Sequence, residues 1–238
     1  MVNKMFGTIT SSISVDRYWI DIGFGEGVVK YRRFDGEELV KELNIVGDVY
    51  LELVPMYPVF IPKFVTQYIL CIFSKPIVLT PYREARIYMY LPIDFAIYAR
   101  NHSMFELVDV FSLDLRPKYA LYGPRDQGVV ARHCVTSYSF DELEPRLGVA
   151  VSQIVIKNST KDFVTVNKVL LDASPLRLYY RPSTWDVYTQ LIVMNITSST
   201  MATLHYENAF KAGLAVLSDP PDLRPPKIYS RTDMLWGY

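Results

Sequence analysis

The sequence predicts an all-β protein, built as two β-sandwich-like halves of mainly antiparallel strands with a short helix near the carboxy terminus. Three observations carry that expectation. Runs of Val, Ile, Leu, Phe and Tyr recur through residues 49–99 and 148–206 with almost no helical period between them. In the second block, the runs 153–157, 163–171 and 176–180 are separated by Asn158-Ser159-Thr160-Lys161-Asp162 and by Ala173-Ser174-Pro175; polar and proline-containing breaks of this kind are turns between short strands. Residues 86–91 alternate charged, apolar and aromatic residues with the period of two expected of a half-buried strand.

The remaining elements follow in chain order. Residues 18–22 and 28–31 are strand-like and joined by Gly23-Phe24-Gly25-Glu26-Gly27. That cluster has G-x-G-x-G spacing and runs into β-prone residues, so it reads as a glycine-rich turn and not as a dinucleotide loop opening a helix. Asp35-Gly36 marks a second turn, and residues 37–43 form a short helix or an edge strand. Pro55, Pro58 and Pro62 make residues 54–62 edge or connecting chain, because proline cannot donate to a central ladder. Residues 66–73 and 77–79 are two strands separated by Ser74-Lys75-Pro76, and 94–99 completes the first block. Between the blocks, 104–113 and 129–138 are apolar enough for strands, whereas 116–128 and 141–146 read as loops. Residues 187–196 and 201–207 close the second block. A helix is expected over 208–217, where Phe210, Leu214 and Leu217 share one face. Beyond it, Pro220, Pro221, Pro225 and Pro226 leave the tail without helix or ladder of its own.

These readings divide the chain into an amino-terminal β-rich half (1–115), an irregular connection (116–147), a carboxy-terminal half (148–217) and a proline-rich tail (218–238). Half of the 238 residues are apolar and 14% are aromatic, ample material for a continuous core. The 25 basic residues balance 25 acidic ones, which removes the electrostatic footprint of a general nucleic-acid binder and of a polybasic membrane-surface protein. No apolar run approaches the ~20 residues of a membrane helix, so no transmembrane segment is expected. The first residues lack the apolar core of a signal peptide. A cytoplasmic protein is the expectation, and the Asn-x-Ser/Thr triplets at Asn101, Asn158 and Asn195 then read as turn residues. Cys71 and Cys134 are too few for a disulfide scaffold; Cys71 reads as a small buried hydrophobe, with a Cys71–Cys134 bond open to it.

Several segments together resemble an uncharacterised, mainly archaeal family, domain of unknown function 432. The resemblance rests on residues 58–62 with 66–73, Lys75-Pro76-Ile77-Val78-Leu79-Thr80-Pro81, 88–93, Phe111-Ser112-Leu113 and Gly128-Val129-Val130. It continues through 168–172 and Leu178-Tyr179-Tyr180 and is sharpest at Lys118-Tyr119-Ala120-Leu121-Tyr122-Gly123. Ala131-Arg132-His133-Cys134 departs from the aromatic-rich stretch of the family. The resemblance implies an archaeal, thermophilic origin and no assigned activity, and it transfers no catalytic residue.

One cluster invites a chemical reading. Residues 116–134 gather Arg116, Lys118, Tyr119, Tyr122, Arg125, Arg132, His133 and Cys134 in a stretch broken by proline and glycine. Arginines beside backbone donors in a tight loop hold phosphate or carboxylate groups. Lys118, Tyr122, Arg125, Arg132 and His133 are therefore the candidate contacts to an anion or a partner. A solvated, structurally constrained loop is the plainer account of the same residues. No catalytic constellation stands out: adjacent His133 and Cys134 point to opposite faces of a strand, and Asp109/Asp114 and Glu142/Glu144 fit solvated faces. His102, His133 and His205 have no metal-ligand spacing, so neither a metal nor another cofactor is expected. The reading favoured is a non-enzymatic interaction or scaffold protein with a protein partner or a homo-oligomeric state, engaged through an edge strand or the tail. The alternative is a binder of a small anionic ligand, or an unrecognised enzyme, using Arg125, Arg132 and His133.

Overall fold

The computed structural model describes residues 5–61, 65–101, 105–114, 116–125, 128–209, 211–216 and 232–235. The described residues form twenty strands. In chain order they begin with β1 (Gly7–Ile9), β2 (Ile13–Val15), β3 (Tyr18–Gly25), β4 (Val28–Asp35), β5 (Glu38–Val46), β6 (Tyr50–Met56) and β7 (Tyr68–Leu79). They continue with β8 (Glu84–Pro92), β9 (Asp94–Arg100), β10 (Phe105–Ser112), β11 (Lys118–Tyr122), β12 (Val129–Thr136), β13 (Tyr138–Ser139) and β14 (Val149–Asn158). The last are β15 (Val164–Asp172), β16 (Leu178–Tyr180), β17 (Val187–Ile196), β18 (Met201–Ala209), β19 (Ala215–Val216) and β20 (Thr232–Leu235). The protein is all-β, and no described residue is helical.

Four sheets hold these strands. The meander β2-β3-β4-β5 turns at Gly27 and Gly36, both with positive φ, where a side chain would strain the hairpin. The second sheet is β1-β6-β9-β10 and the third β11-β12-β7-β15. The largest runs β13-β8-β14-β17-β16-β19; β18 takes the second half of the β17 edge that β16 leaves free, and β20 pairs with β18. Pairing is antiparallel except for β12 with β7 and β14 with β17. One core joins the sheets, with Ile20 and Tyr31, Leu51 and Phe95, Ile69 and Leu171, and Ile87, Ile154 and Ile192 all fully buried. Phe6 binds it further: its ring stacks on Phe95 and meets Tyr180 and Trp185 edge-on.

Several local expectations change. Of the two forms expected for residues 37–43, the edge strand is the one observed, with 38–43 in β5. Ser74-Lys75-Pro76 does not separate two strands: β7 runs through it, and the register with β15 jumps from Ile72–Lys168 to Ile77–Val166. The extra residues form a bulge, a place where a missing proline N–H costs no ladder bond. Within residues 116–128, read as loop, the five-residue β11 pairs with β12 along its whole length. The tail does own a ladder bond, since Met201–Leu204 pairs with Thr232–Leu235. Of the helix expected over 208–217, Phe210 and Leu217 lie outside the described residues; 208–209 end β18 and Ala215–Val216 form β19. Strands assigned to the two halves share sheets, β7 with β15 and β8 with β14. Ile93 alone separates β8 from β9, so the chain passes from the largest sheet into the second within one residue.

Candidate functional site

The β11–β12 hairpin is pinned at its turn by glycine. Gly123 has φ +99°, and a Cβ on Gly128 would lie 2.6 Å from the Pro124 carbonyl oxygen that its own N–H binds. From this turn the register pairs Tyr122 with Val129, Tyr119 with Arg132 and Lys118 with His133. Cross-strand partners share a face, so Lys118 and His133 stand together on one side of the hairpin and Tyr119 and Arg132 on the other. At the far end of β12, Thr136 donates to the Tyr90 carbonyl, and Tyr138 of β13 pairs with Met89 of β8. The third sheet thereby meets the largest one.

A cleft of about 700 Å³ opens at this seam. Arg116, Lys118, His133 and Arg146 bring basic groups to it, Tyr90 and Tyr138 bring aromatic rings, and Asp114 brings the carboxylate among its described lining residues. Arg146 lies over the Tyr90 ring at 4.8 Å, and the Tyr90 hydroxyl donates to the Glu144 carbonyl at 2.7 Å. Gly148 holds this corner close: it has φ +80°, and an added Cβ would come within 2.9 Å of Leu113.

Behind the cleft lies a buried polar cluster. Arg132 is 2% exposed and donates from Nη2 to Asp114 Oδ2 at 2.7 Å, while its guanidinium also faces the Tyr119 ring at 5.9 Å. Among the described residues its Nη1 is buried without a hydrogen-bond partner, as is Oδ1 of Asp94. Asp94 is 2% exposed. Burial pushes its carboxyl up to about 7, with the neighbouring Asp114 adding to the rise, against the opposing pull of the Ser112 hydroxyl and the Arg132 charge.

The candidate residues therefore part company. Lys118 and His133 line the cleft, and Arg132 stands behind it, coupled to it through Asp114. Tyr122 is buried beneath Lys168, whose ammonium lies 5.2 Å from its ring, and burial pushes its hydroxyl up to about 12. Arg125 is exposed in the turn beyond the Tyr122–Val129 pair. It lies at the end opposite Lys118, at least four residues or about 13 Å along the strands. Asp94 and Arg146 were not among the candidates. Neither carries a local signal, because Asp94 comes from the start of β9 and Arg146 from the connection before β14. Among the described residues no group of three His, Cys, Asp or Glu side chains is placed to hold a metal ion, and no helix is long and apolar enough to cross a membrane; His102 lies outside the described residues.

An all-β chain of four interleaved sheets with a basic cleft at one seam is the class the geometry defines. Residues 5–232 match the family described as Protein of unknown function (DUF432), and the chain belongs to that family. No curated protein and no solved structure matches it.

Proposed function

We propose that the protein binds a small anionic ligand, a carboxylate or phosphate compound, in the cleft at the β12–β8 seam. The observation that carries this reading is the grouping of Arg116, Lys118 and Arg146 with the His133 imidazole around one concavity. The carboxylate there, Asp114, is already bonded to Arg132. Guanidinium and ammonium groups so placed attract an anion and donate hydrogen bonds to it, and the Tyr90 and Tyr138 rings offer apolar walls for the rest of a ligand. Calorimetric titration of the full chain with inorganic phosphate, nucleotides and di- and tricarboxylates tests it. At least one compound should bind, and Lys118→Ala with Arg146→Ala should weaken binding at least tenfold while the unfolding midpoint stays put. Binding by none of them, or equal binding by the double variant, would sink the proposal.

A second reading, protein interaction, is supported by β5. No described strand pairs its outer edge, and Leu39, Val40 and Val46 are exposed along it. Such an edge takes up an extended peptide by strand addition. A proline at Val40 should then abolish capture of the partner segment without altering anion binding.

A further inference from the structure

The chain has two cysteines, and the fold brings both to one place. Cys71 lies in β7 and Cys134 in β12, and the parallel register pairs them directly. Their sulfurs are 3.1 Å apart, and both are free thiols. The neighbouring pairs of that seam are Leu70 with His133 and Ile72 with Val135. Two small apolar side chains would satisfy packing at this position, but the two residues differ in exposure. Cys71 is fully buried, whereas Cys134 is half-buried and lines the cleft. Adjacent strands run about 4.8 Å apart, inside the Cα separations of roughly 4.4–6.8 Å that a disulfide spans. Closing the sulfur gap to about 2 Å is thus a matter of side-chain rotation.

We propose that Cys71 and Cys134 form a redox-active pair, oxidised by a peroxide entering through the cleft to a disulfide across the β7–β12 seam. Cys134, the less buried of the two residues and the one at the cleft, is assigned the first reaction. The bond to Cys134 and burial hold the Cys71 thiol protonated, which leaves it the resolving partner. In the first step the Cys134 sulfur attacks one peroxide oxygen and the O–O bond breaks. A sulfenic acid forms, and the departing hydroxide takes up the thiol proton as water. In the second, the Cys71 sulfur attacks the Cys134 sulfur, the S–O bond breaks, and the leaving hydroxide takes the Cys71 proton as a second water. Two thiols and one hydrogen peroxide thereby give one disulfide and two waters, the two sulfurs supplying both electrons. Thiol–disulfide exchange with a small dithiol reverses it. None of this depends on which anion the cleft binds.

The test treats the folded, full-length protein with a small excess of hydrogen peroxide, then labels remaining thiols and maps peptides by mass spectrometry. Both thiols should disappear together, the protein should lose the mass of two hydrogens, and a Cys71–Cys134 cross-linked peptide should appear that dithiothreitol removes. In Cys71→Ala, Cys134 should stop at a sulfenic acid trapped by dimedone, and in Cys134→Ala, Cys71 should stay unmodified. Wild-type thiols that remain fully labelled would overturn the proposal. So would Cys134 advancing to sulfinic acid without a cross-link, or a disulfide formed between molecules. The wild-type measurement decides the matter even where a variant fails to fold.

Discussion

Asp109 and Asp94 lie on the paired strands β10 and β9 of one sheet, both almost fully buried, and they are treated in opposite ways. Asp109 is saturated. It accepts hydrogen bonds from the Tyr31 hydroxyl and Arg33 Nε, both at 2.7 Å, and an ion pair from Lys41 at 3.3 Å. All three partners come from the β2–β5 meander, so the carboxylate fastens one sheet to the next. Arg33 lies over the rings of Tyr18 and Phe111, and Tyr18 donates to the Ser112 carbonyl, which closes the same joint. Three residue pairs further along the same ladder, where Asp94 faces Ser112, Asp94 keeps an oxygen and the nearby Arg132 a nitrogen with no hydrogen-bond partner among the described residues. The contrast teaches that burial of charge is not by itself a sign of function. A buried carboxylate with every lone pair engaged is a fastening; one left short of partners beside a cleft is where the fold has kept polar capacity unspent.

The comparison is broken hardest at Asp109. Asp109→Ala strands the Arg33 guanidinium in the joint, and removing one partner of a buried pair costs about 3–5 kcal/mol. Urea unfolding should show a loss of that size, and a loss below about 1 kcal/mol would mean the joint is held by its rings alone. At Asp94 the expected effect is a dependence on pH. Its folded-state value of about 7 stands above the ordinary 3.8. Between those values the folded state therefore holds a proton that the unfolded chain lacks. Stability should accordingly fall as pH rises from 5 to 8, by on the order of 3 kcal/mol, and Asp94→Asn should flatten that slope. Denaturation series at several pH values check the sign, and equal slopes for the two proteins would remove Asp94 as its source.

The smallest effect is expected at Arg132. Asp114 is 48% exposed and can return to water, so Arg132→Met exchanges a half-satisfied buried cation for an apolar chain of similar length. Stability should change by no more than about 1 kcal/mol. The Asp94 carboxyl, relieved of a nearby positive charge, should titrate still higher, an effect visible by carboxyl NMR. A large stability loss would make Arg132 a fastening like Asp109 and erase the distinction between the two carboxylates.

Much of the strand pattern is legible in the sequence because its signals are local. The alternation of residues 86–91 gives β8, where Ile87, Met89 and Leu91 are fully buried. Asn158, read as a turn residue, instead ends β14 in register with Ile196, its buried amide donating to the carbonyls of Thr80 and Asp162 at the turn that follows. The signals fail where a partner strand decides. Ser74-Lys75-Pro76 looks like an interruption, yet β15 pairs with β7 on both sides of the bulge. Pro117 and Gly123-Pro124 make Lys118–Tyr122 look like loop until β12 pairs with it. The site divides in the same way. Lys118 and His133, clustered in the sequence, both line the cleft, whereas strand direction carries Arg125 to the opposite end of the hairpin. Arg146 and Asp94 join only because Gly148 and Ile93 bring two sheets together, the Ile93 N–H binding the Gly148 carbonyl.

The interleaving of the sheets has a consequence for synthesis. β7 and β8 leave the ribosome early, but their neighbours β15 and β14 follow only after tens of further residues, and β18 gains its β20 partner later still. A growing chain must carry apolar strands such as β7 with open edges until distant segments arrive. Pairings of such long sequence separation close slowly, and unpaired apolar edges invite association in the interval. This topology makes the nascent chain, more than the finished molecule, the state in need of protection, and slowing translation past residue 160 should raise the fraction that aggregates.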